Sequence, residues 1–251
     1  MELALTKFLL IMLGGSLGSF ASVLIYRLPR SHESITILKP NSFCPKCKHR
    51  LKIIHLIPFL GFLLHKGKCF ACNTRISPIY LLNEVAIACF LMFFINQLGV
   101  NNLFAWVLVA LIFILYVQAL MDLQTLLLSQ PLNIFILVIG LSLNLSQEFF
   151  TIRLDALLGL VFGYGLLFSI NLLHRLIRKE NGIGEGDFLL LGGIGATFGA
   201  SAIGPILLIG SSITLLLYTL QRKKSKELPL GFGLSIGGIT YCTLFVIIST
   251  T

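Results

Sequence analysis

The chain has 251 residues, 56% of them hydrophobic and 12% charged, with a mean hydropathy of +0.94 and a net charge of +9. So much apolar surface excludes a soluble globular domain. The positive charge is explained by orientation in a membrane, and no nucleic-acid partner is expected. Stretches of about 20 apolar residues cross a bilayer as helices. Eight such stretches run roughly over 5–26, 79–98, 102–121, 131–147, 154–174, 187–202, 204–220 and 230–249, the sixth and seventh blurred together. The expected fold class is an all-α membrane protein of about eight transmembrane helices, in direct contact with lipid.

The first span carries Lys7 ahead of its apolar run, as a secretory signal would. It is long for a signal and ends in Tyr26-Arg27-Leu28-Pro29-Arg30, a basic flank suited to a cytoplasmic stop, so it is read as a retained helix. The insertion after it, 27–78, holds the strongest spacing pattern in the chain. Cys44-Pro45-Lys46-Cys47 and Cys69-Phe70-Ala71-Cys72 are two C-x2-C pairs separated by 21 residues, close to zinc-ribbon spacing. Four thiolates suit tetrahedral zinc. Two disulfides are disfavoured in a reducing compartment, and a redox dithiol would need only one pair. A closed four-cysteine site folds a loop too short to build its own core, and it leaves no coordination position for catalysis. His49, His55 and His65 in the same loop are read as solvated or as helping to bind substrate. Cys89 and Cys242 fall inside apolar spans and are read as packing residues.

Glu84 lies in the second span, where it faces the bundle or pairs with a base such as Arg75. The third span ends at Asp122, and the sixth begins at Asp187 within Gly184-Glu185-Gly186-Asp187. A carboxylate near lipid is costly and calls for a functional explanation. Two carboxylates brought together share a proton, so that one acts as a general base while the other donates, which is aspartyl protease chemistry. Gly184 and Gly186 allow the backbone to unwind and an extended peptide to pass. Gly14-x3-Gly18, Gly159-x3-Gly163 and Gly195-x3-Gly199 present small faces for close helix packing, the last expected to bring Asp187 to the helix ending at Asp122. Glu2, Glu33, Glu148, Asp155, Glu180 and Glu227 are read as solvated, and Glu185 as pointing outward.

If 27–78 faces the cytoplasm, the alternating spans also place 122–130, 175–186 and 221–229 there. These four segments hold 17 of the 19 Lys and Arg, leaving only Lys7 and Arg153 outside. The positive-inside rule then sets both termini outside and both aspartates at cytoplasmic helix ends.

In this order the motifs resemble the type IV prepilin peptidases, over nearly the whole chain. Gly18-Ser19-Phe20 through Ile25-Tyr26-Arg27-Leu28-Pro29 looks like that family's opening helix, and the paired cysteines look like its zinc-binding cytoplasmic loop. Ile57-Pro58, Lys66-Gly67-Lys68-Cys69 and Ile76-Ser77-Pro78-Ile79-Tyr80 with Glu84 fall where the family has matching elements. Met121-Asp122-Leu123 and Gly184-Glu185-Gly186-Asp187 look like its two catalytic aspartates, and Leu228-Pro229-Leu230-Gly231-Phe232-Gly233 like the turn that opens its last helix. The resemblance implies an aspartic endopeptidase of the bacterial inner membrane. Such enzymes cut the basic leader from type IV prepilins or pseudopilins after a Gly, at the cytoplasmic face. Many members also methylate the new N-terminus with S-adenosylmethionine. The chain then divides into a first helix (1–26), a zinc-binding loop (27–78) and a seven-helix aspartyl peptidase domain (79–251).

Some positions depart from the family pattern. Ser22, His55-Leu56 and Gly61-Phe62 stand where Asn, Asp-Asn and Ser-Trp are common, in the region tied to methyl transfer, which the sequence therefore leaves open. Ser129-Gln130-Pro131 replaces a Pro-Asp after the first aspartate, and Leu189 replaces a Lys after the second. A rival reading of the same acids is a membrane transporter or scaffold that uses them to bind ions or protons. It is disfavoured because a relay places acids at mid-membrane and the spans show no inverted repeat. Intramembrane proteases of presenilin type share Gly-x-Gly-Asp but lack the four-cysteine loop.

Overall fold

The structure, a computed structural model, describes residues 2–33, 36–39, 41–44, 46–220 and 228–250. Pro45 and 221–227, with Glu227 and most of the 221–229 basic segment, lie outside the described residues, as do the side chains of Glu2 and Glu33. Among the described residues there is no strand. The helices are α1 (Glu2–Arg27), α2 (Leu60–Leu64), α3 (Ile79–Leu98), α4 (Leu103–Thr125), α5 (Gln130–Gln147), α6 (Arg153–Arg178), α7 (Glu185–Phe198), α8 (Ala200–Leu220) and α9 (Leu230–Thr250). Seven of them, all but α2 and α7, are long and apolar enough to cross a membrane. The remaining expected span, the sixth, is α7, whose 14 residues reach only about 21 Å at 1.5 Å per residue.

The chain forms two compact units, Met1–Phe113 and Ile114–Thr251. In the first, α1 packs along α3. Without a hydrophobic drive between helices in lipid, association depends on close approach and interhelical hydrogen bonds, and both are present. A Cβ on Gly14 or Gly18 would collide with the α3 backbone at Ala88 or Asn83. One turn further on, Asn83 Nδ2 donates to Ser22 Oγ across 2.9 Å. Cys89, expected to pack, is exposed on α3 because it lies off this interface, whereas Cys242 in the second unit is fully buried.

In the second unit α7 is the central element, packed by α5, α6, α8 and α9 and buried continuously from Leu190 to Phe198. Its small residues explain how so many neighbours fit. Gly159 of α6 and Gly195 of α7 meet backbone to backbone, so that a Cβ on either would strike the other's carbonyl. A Cβ on Gly163 would lie 2.6 Å from Leu191 O. The Gly195 face therefore joins α7 to α6, not to the helix that ends at Asp122, because α6 presents the matching glycines.

α7 stops at Gly199, whose φ of +90° suits glycine and breaks the helix within one residue. The break between the sixth and seventh expected spans thus falls four residues earlier than the apolar pattern suggests. Side chains satisfy the helix ends it exposes. Asn144 Nδ2 donates to Ala196 O and Thr197 O at 2.9 and 2.8 Å, and Asp155 Oδ1 accepts from Ala200 N at 3.2 Å. Asp155, read as solvated, is in fact a structural cap at the α7–α8 turn, also bonded by Thr151 Oγ1 at 2.9 Å. Glu148 is solvated as expected and pairs with Arg153 at 3.5 Å, both side chains exposed.

Candidate functional site

Asp122 sits on the last turn of α4, three residues before its end, and is buried at 5% exposure. Asp187 is the third residue of α7. Gly184 caps that helix in an extended conformation (φ −71°, ψ 144°), and the carboxylate folds back over it, with Oδ2 3.4 Å from where a Gly184 Cβ would lie. The segment 185–187 is regular helix rather than unwound chain. The value of Gly186 is proximity: a Cβ there would sit 2.9 Å from Leu128 Cβ.

The two acids meet at a third element, the N-terminus of α9. Its first-turn N–H groups have no helical partner and carry the positive end of the helix dipole, a natural seat for carboxylates. Phe232 N donates to Asp122 Oδ2 at 2.8 Å. One residue before, a Cβ on Gly231 would lie 3.0 Å from Asp187 Oδ1 and 2.8 Å from Leu128 Cδ1. Asp122 and Asp187 are close enough for their charges to interact. Asp187 Oδ1 is buried with no hydrogen-bond partner among the described residues, leaving an acceptor unspent beside Gly231. Glu185 is exposed, as expected.

The apolar pattern marks the acids and hides the amides around them. Gln118 and Asn133, both 0% exposed, join α4, the 126–129 loop, α5 and Gly186. Asn171 on α6 holds the loop that leads into α7, its Oδ1 accepting from Gly182 N and Ile183 N at 2.8 and 3.0 Å. The available signal was the one used for the acids: a polar side chain inside an apolar span needs a partner.

In the first unit the four cysteines come together on two matching turns. Phe43 bridges Arg50 around Cys44–Cys47, and Lys68 bridges Arg75 around Cys69–Cys72. In each turn the first cysteine's carbonyl accepts a backbone N–H at 2.9 Å, from Lys48 or Asn73, and those residues take left-handed φ values of 59° and 53°. All four sulfurs lie within 4.8 Å of one another, with Cys44–Cys72 at 3.9 Å and Cys47–Cys69 at 4.0 Å. A tetrahedron with metal–sulfur bonds of ~2.3 Å has edges of about 3.8 Å, so the set fits a metal such as zinc. The Thr74 hydroxyl, 3.3 Å from Cys72 Sγ, and its backbone N–H hold the Cys72 thiol down to about 6. All six cysteines are free.

Beside this loop lies a cavity of about 410 Å³, lined among others by Tyr26, His55, Phe62, His65, Tyr80 and Glu84. Glu84 faces it and accepts from Phe59 N at 2.7 Å rather than pairing with Arg75. Its position on α3 sets it against the chain that leads into α2. His55 and His65 stand edge to face with centroids 4.8 Å apart. Partial burial, then the charges of His65 and Lys52, hold His55 below the usual histidine range, so its imidazole is neutral near pH 7.

Residues 12–98 match the family model described as the bacterial peptidase A24 N-terminal domain, and residues 106–220 match that of the type IV leader peptidase family. A prepilin leader peptidase/N-methyltransferase of Klebsiella pneumoniae is 36% identical over 203 residues, covering 79% of this chain and 87% of the relative. Enzymes of the same name from Neisseria gonorrhoeae and Pseudomonas aeruginosa are 30% and 31% identical, covering 90% and 91% of this chain and 86% and 87% of theirs. No solved structure matches the chain. Two conjoined acids at a helix N-terminus, a four-cysteine turn pair and these matches together establish that the chain belongs to the type IV leader peptidase family.

Proposed function

We propose that Asp122 and Asp187 are the catalytic dyad with which this chain removes the leader from type IV prepilins or pseudopilins. The carrying observation is their convergence on the first turn of α9, one carboxylate bonded by Phe232 N–H and the other with a buried free oxygen beside Gly231. One carboxylate takes a proton from water as the water oxygen attacks the carbonyl carbon of the leader's final Gly. The other protonates the carbonyl oxygen; as the tetrahedral intermediate collapses and the C–N bond breaks, the first carboxyl passes the proton taken from water to the leaving amine, and the second recovers its proton from the diol hydroxyl. Gly184, exposed at the start of α7, leaves the approach to Asp187 free of a side chain.

In this reading residues 1–26 are a first helix, 27–78 a cytoplasmic zinc loop and 79–251 the peptidase helices. Cys44, Cys47, Cys69 and Cys72 hold structural zinc, which supplies folding energy and no open coordination position. The concentration of Lys and Arg in the loops that follow α1 and α6 supports a dyad on the cytoplasmic side, where a basic leader remains.

The relatives' names carry a second activity, and the cavity of the first unit suits it. Its volume is in the range of small-molecule sites. Tyr26, Phe62, Phe70 and Tyr80 offer aromatic faces to a sulfonium cation, and Glu84 offers a carboxylate to it or to the pilin amine. S-adenosylmethionine, when bound, supplies an activated methyl group; these residues would hold it and orient the amine. The transporter or scaffold reading is not favoured, since the relatives matching most of the chain are peptidases.

Processing of a co-expressed prepilin tests the dyad. Asp122→Asn and Asp187→Asn are each expected to lower cleavage by about 10³-fold or more, with the protein retained in the membrane. Full cleavage by either variant would sink the assignment.

A further inference from the structure

Gln118 lies one helical turn before Asp122 on α4 and is completely buried. Its Oε1 accepts from Ser129 N at 3.0 Å, and its Nε2 donates to Ser129 O at 2.9 Å and to Asn133 Oδ1. Asn133, also completely buried, sits in the first turns of α5, and its Nδ2 donates to Gly186 O at 2.9 Å. That carbonyl belongs to the peptide bond whose nitrogen is Asp187 N. A continuous line of amides therefore runs from the helix turn behind one aspartate to the peptide carrying the other.

The line has only one sense. Rotating the Gln118 amide would set its NH2 against Ser129 N–H, and rotating Asn133 would set two acceptors together at Gly186 O. In an apolar interior such mismatches are costly, so each side chain fixes the next. Because Gln118 binds both backbone groups of Ser129, the same line fixes the loop that carries Leu128. The Leu128 side chain packs against both Gly186, which precedes Asp187, and Gly231, which lies beside Asp187 Oδ1.

We propose that Gln118 and Asn133 are positioning residues for the aspartate pair, setting the separation of α4 from the first turn of α7 and holding Leu128 against the glycines. They act through the Gly186–Asp187 peptide and the 126–129 loop, not by touching substrate. The inference rests on the dyad reading and deepens it. Buried amides that merely stabilise the bundle exist in the same unit and provide the contrast: Asn144 ties α5 to the opposite end of α7 through Ala196 O and Thr197 O.

The test is steady-state cleavage of a purified prepilin by the full chain in detergent micelles. Gln118→Met and Asn133→Leu preserve side-chain size and remove the line. Each is expected to lower kcat by about 10²-fold, the scale of an ångström-sized misplacement, with KM within about twofold and a displaced pH–rate profile. The double variant is expected to be no worse than either single one, because the amides act as one unit. Asn144→Leu is expected to lower thermal stability while leaving the pH profile in place. Wild-type kcat and pH profile in Gln118→Met and Asn133→Leu would overturn the proposal, as would an Asn144→Leu profile displaced as far as theirs. Should Asn133→Leu not accumulate, Gln118→Met breaks the same line from α4 and is read in the same way. Asp187→Asn in the same assay separates the two failures: substantial cleavage there overturns the dyad on which the positioning rests, whereas lost cleavage there beside wild-type behaviour of Gln118→Met and Asn133→Leu overturns the positioning alone.

Discussion

In the cysteine loop four side chains from residues 44–72 are gathered by two local turns, each closed by its own backbone hydrogen bonds and each pointing its sulfurs inward. In the aspartate pair two side chains from distant parts of the chain are gathered by helices, with α4 bringing one, α7 the other, and the start of α9 receiving both. The first arrangement fits a metal such as zinc, whose bonds to the thiolates would supply its strength with little else around it. The second depends on close helix packing and buried amides, so it tolerates no added volume. Damage to the loop should therefore appear as lost metal, and damage to the pair as misplaced carboxylates.

The largest effect is expected from Cys69→Ser. Removing one thiolate from a four-cysteine site that contributes of order 10 kcal/mol should drop bound zinc, read by elemental mass spectrometry, close to zero and open 43–76 to limited proteolysis. Prepilin cleavage should fall far less than it does in Asp187→Asn; an equal loss would erase the separation between the regions. Next is Gly231→Val, which places carbon 3.0 Å from Asp187 Oδ1 and against Leu128. Cleavage should fall by about 10²-fold or more with zinc content unchanged, and wild-type cleavage would count against Gly231 as the meeting point.

A smaller effect is expected from Gly195→Ala. Its Cβ meets the Gly159 carbonyl, and overpacking of this kind costs about 1–3 kcal/mol, visible as a lower melting temperature in detergent. No change would mean that α6 and α7 are not held together there. The smallest stability effect belongs to Glu84→Gln, which keeps an acceptor for Phe59 N–H and should cost under about 1 kcal/mol. Mass spectrometry of the mature pilin N-terminus should nonetheless show less methylation with cleavage intact. Unchanged methylation would remove Glu84 from that reaction.

Helix positions were legible because each apolar run is long and sharply bounded: 79–98 and 230–249 match α3 and α9 almost residue for residue. The end of α7 was not, since Gly199 turns the chain inside an unbroken apolar stretch and the distant Asp155 caps the start of α8. The glycine pairs were recognisable as packing faces, but not their partners. Gly195 could as well have met α4, until Gly159 of α6 showed a complementary backbone. The amides escaped notice because one Gln or Asn barely changes the hydropathy of a span, and its worth appears only with its partner.

By itself the sequence determined the membrane-spanning class, the helices, the four-cysteine turns and the two acids, because each depends on residue type, local spacing or the cost of charge in lipid. Only the tertiary structure decided that the acids meet at the first turn of α9, that α7 is a short helix buried among its neighbours, and that Gln118 and Asn133 tie it to α4. Those features arise from which backbones approach closely and which buried polar atoms find partners. Both are properties of pairs distant in the chain, which no single stretch of sequence contains.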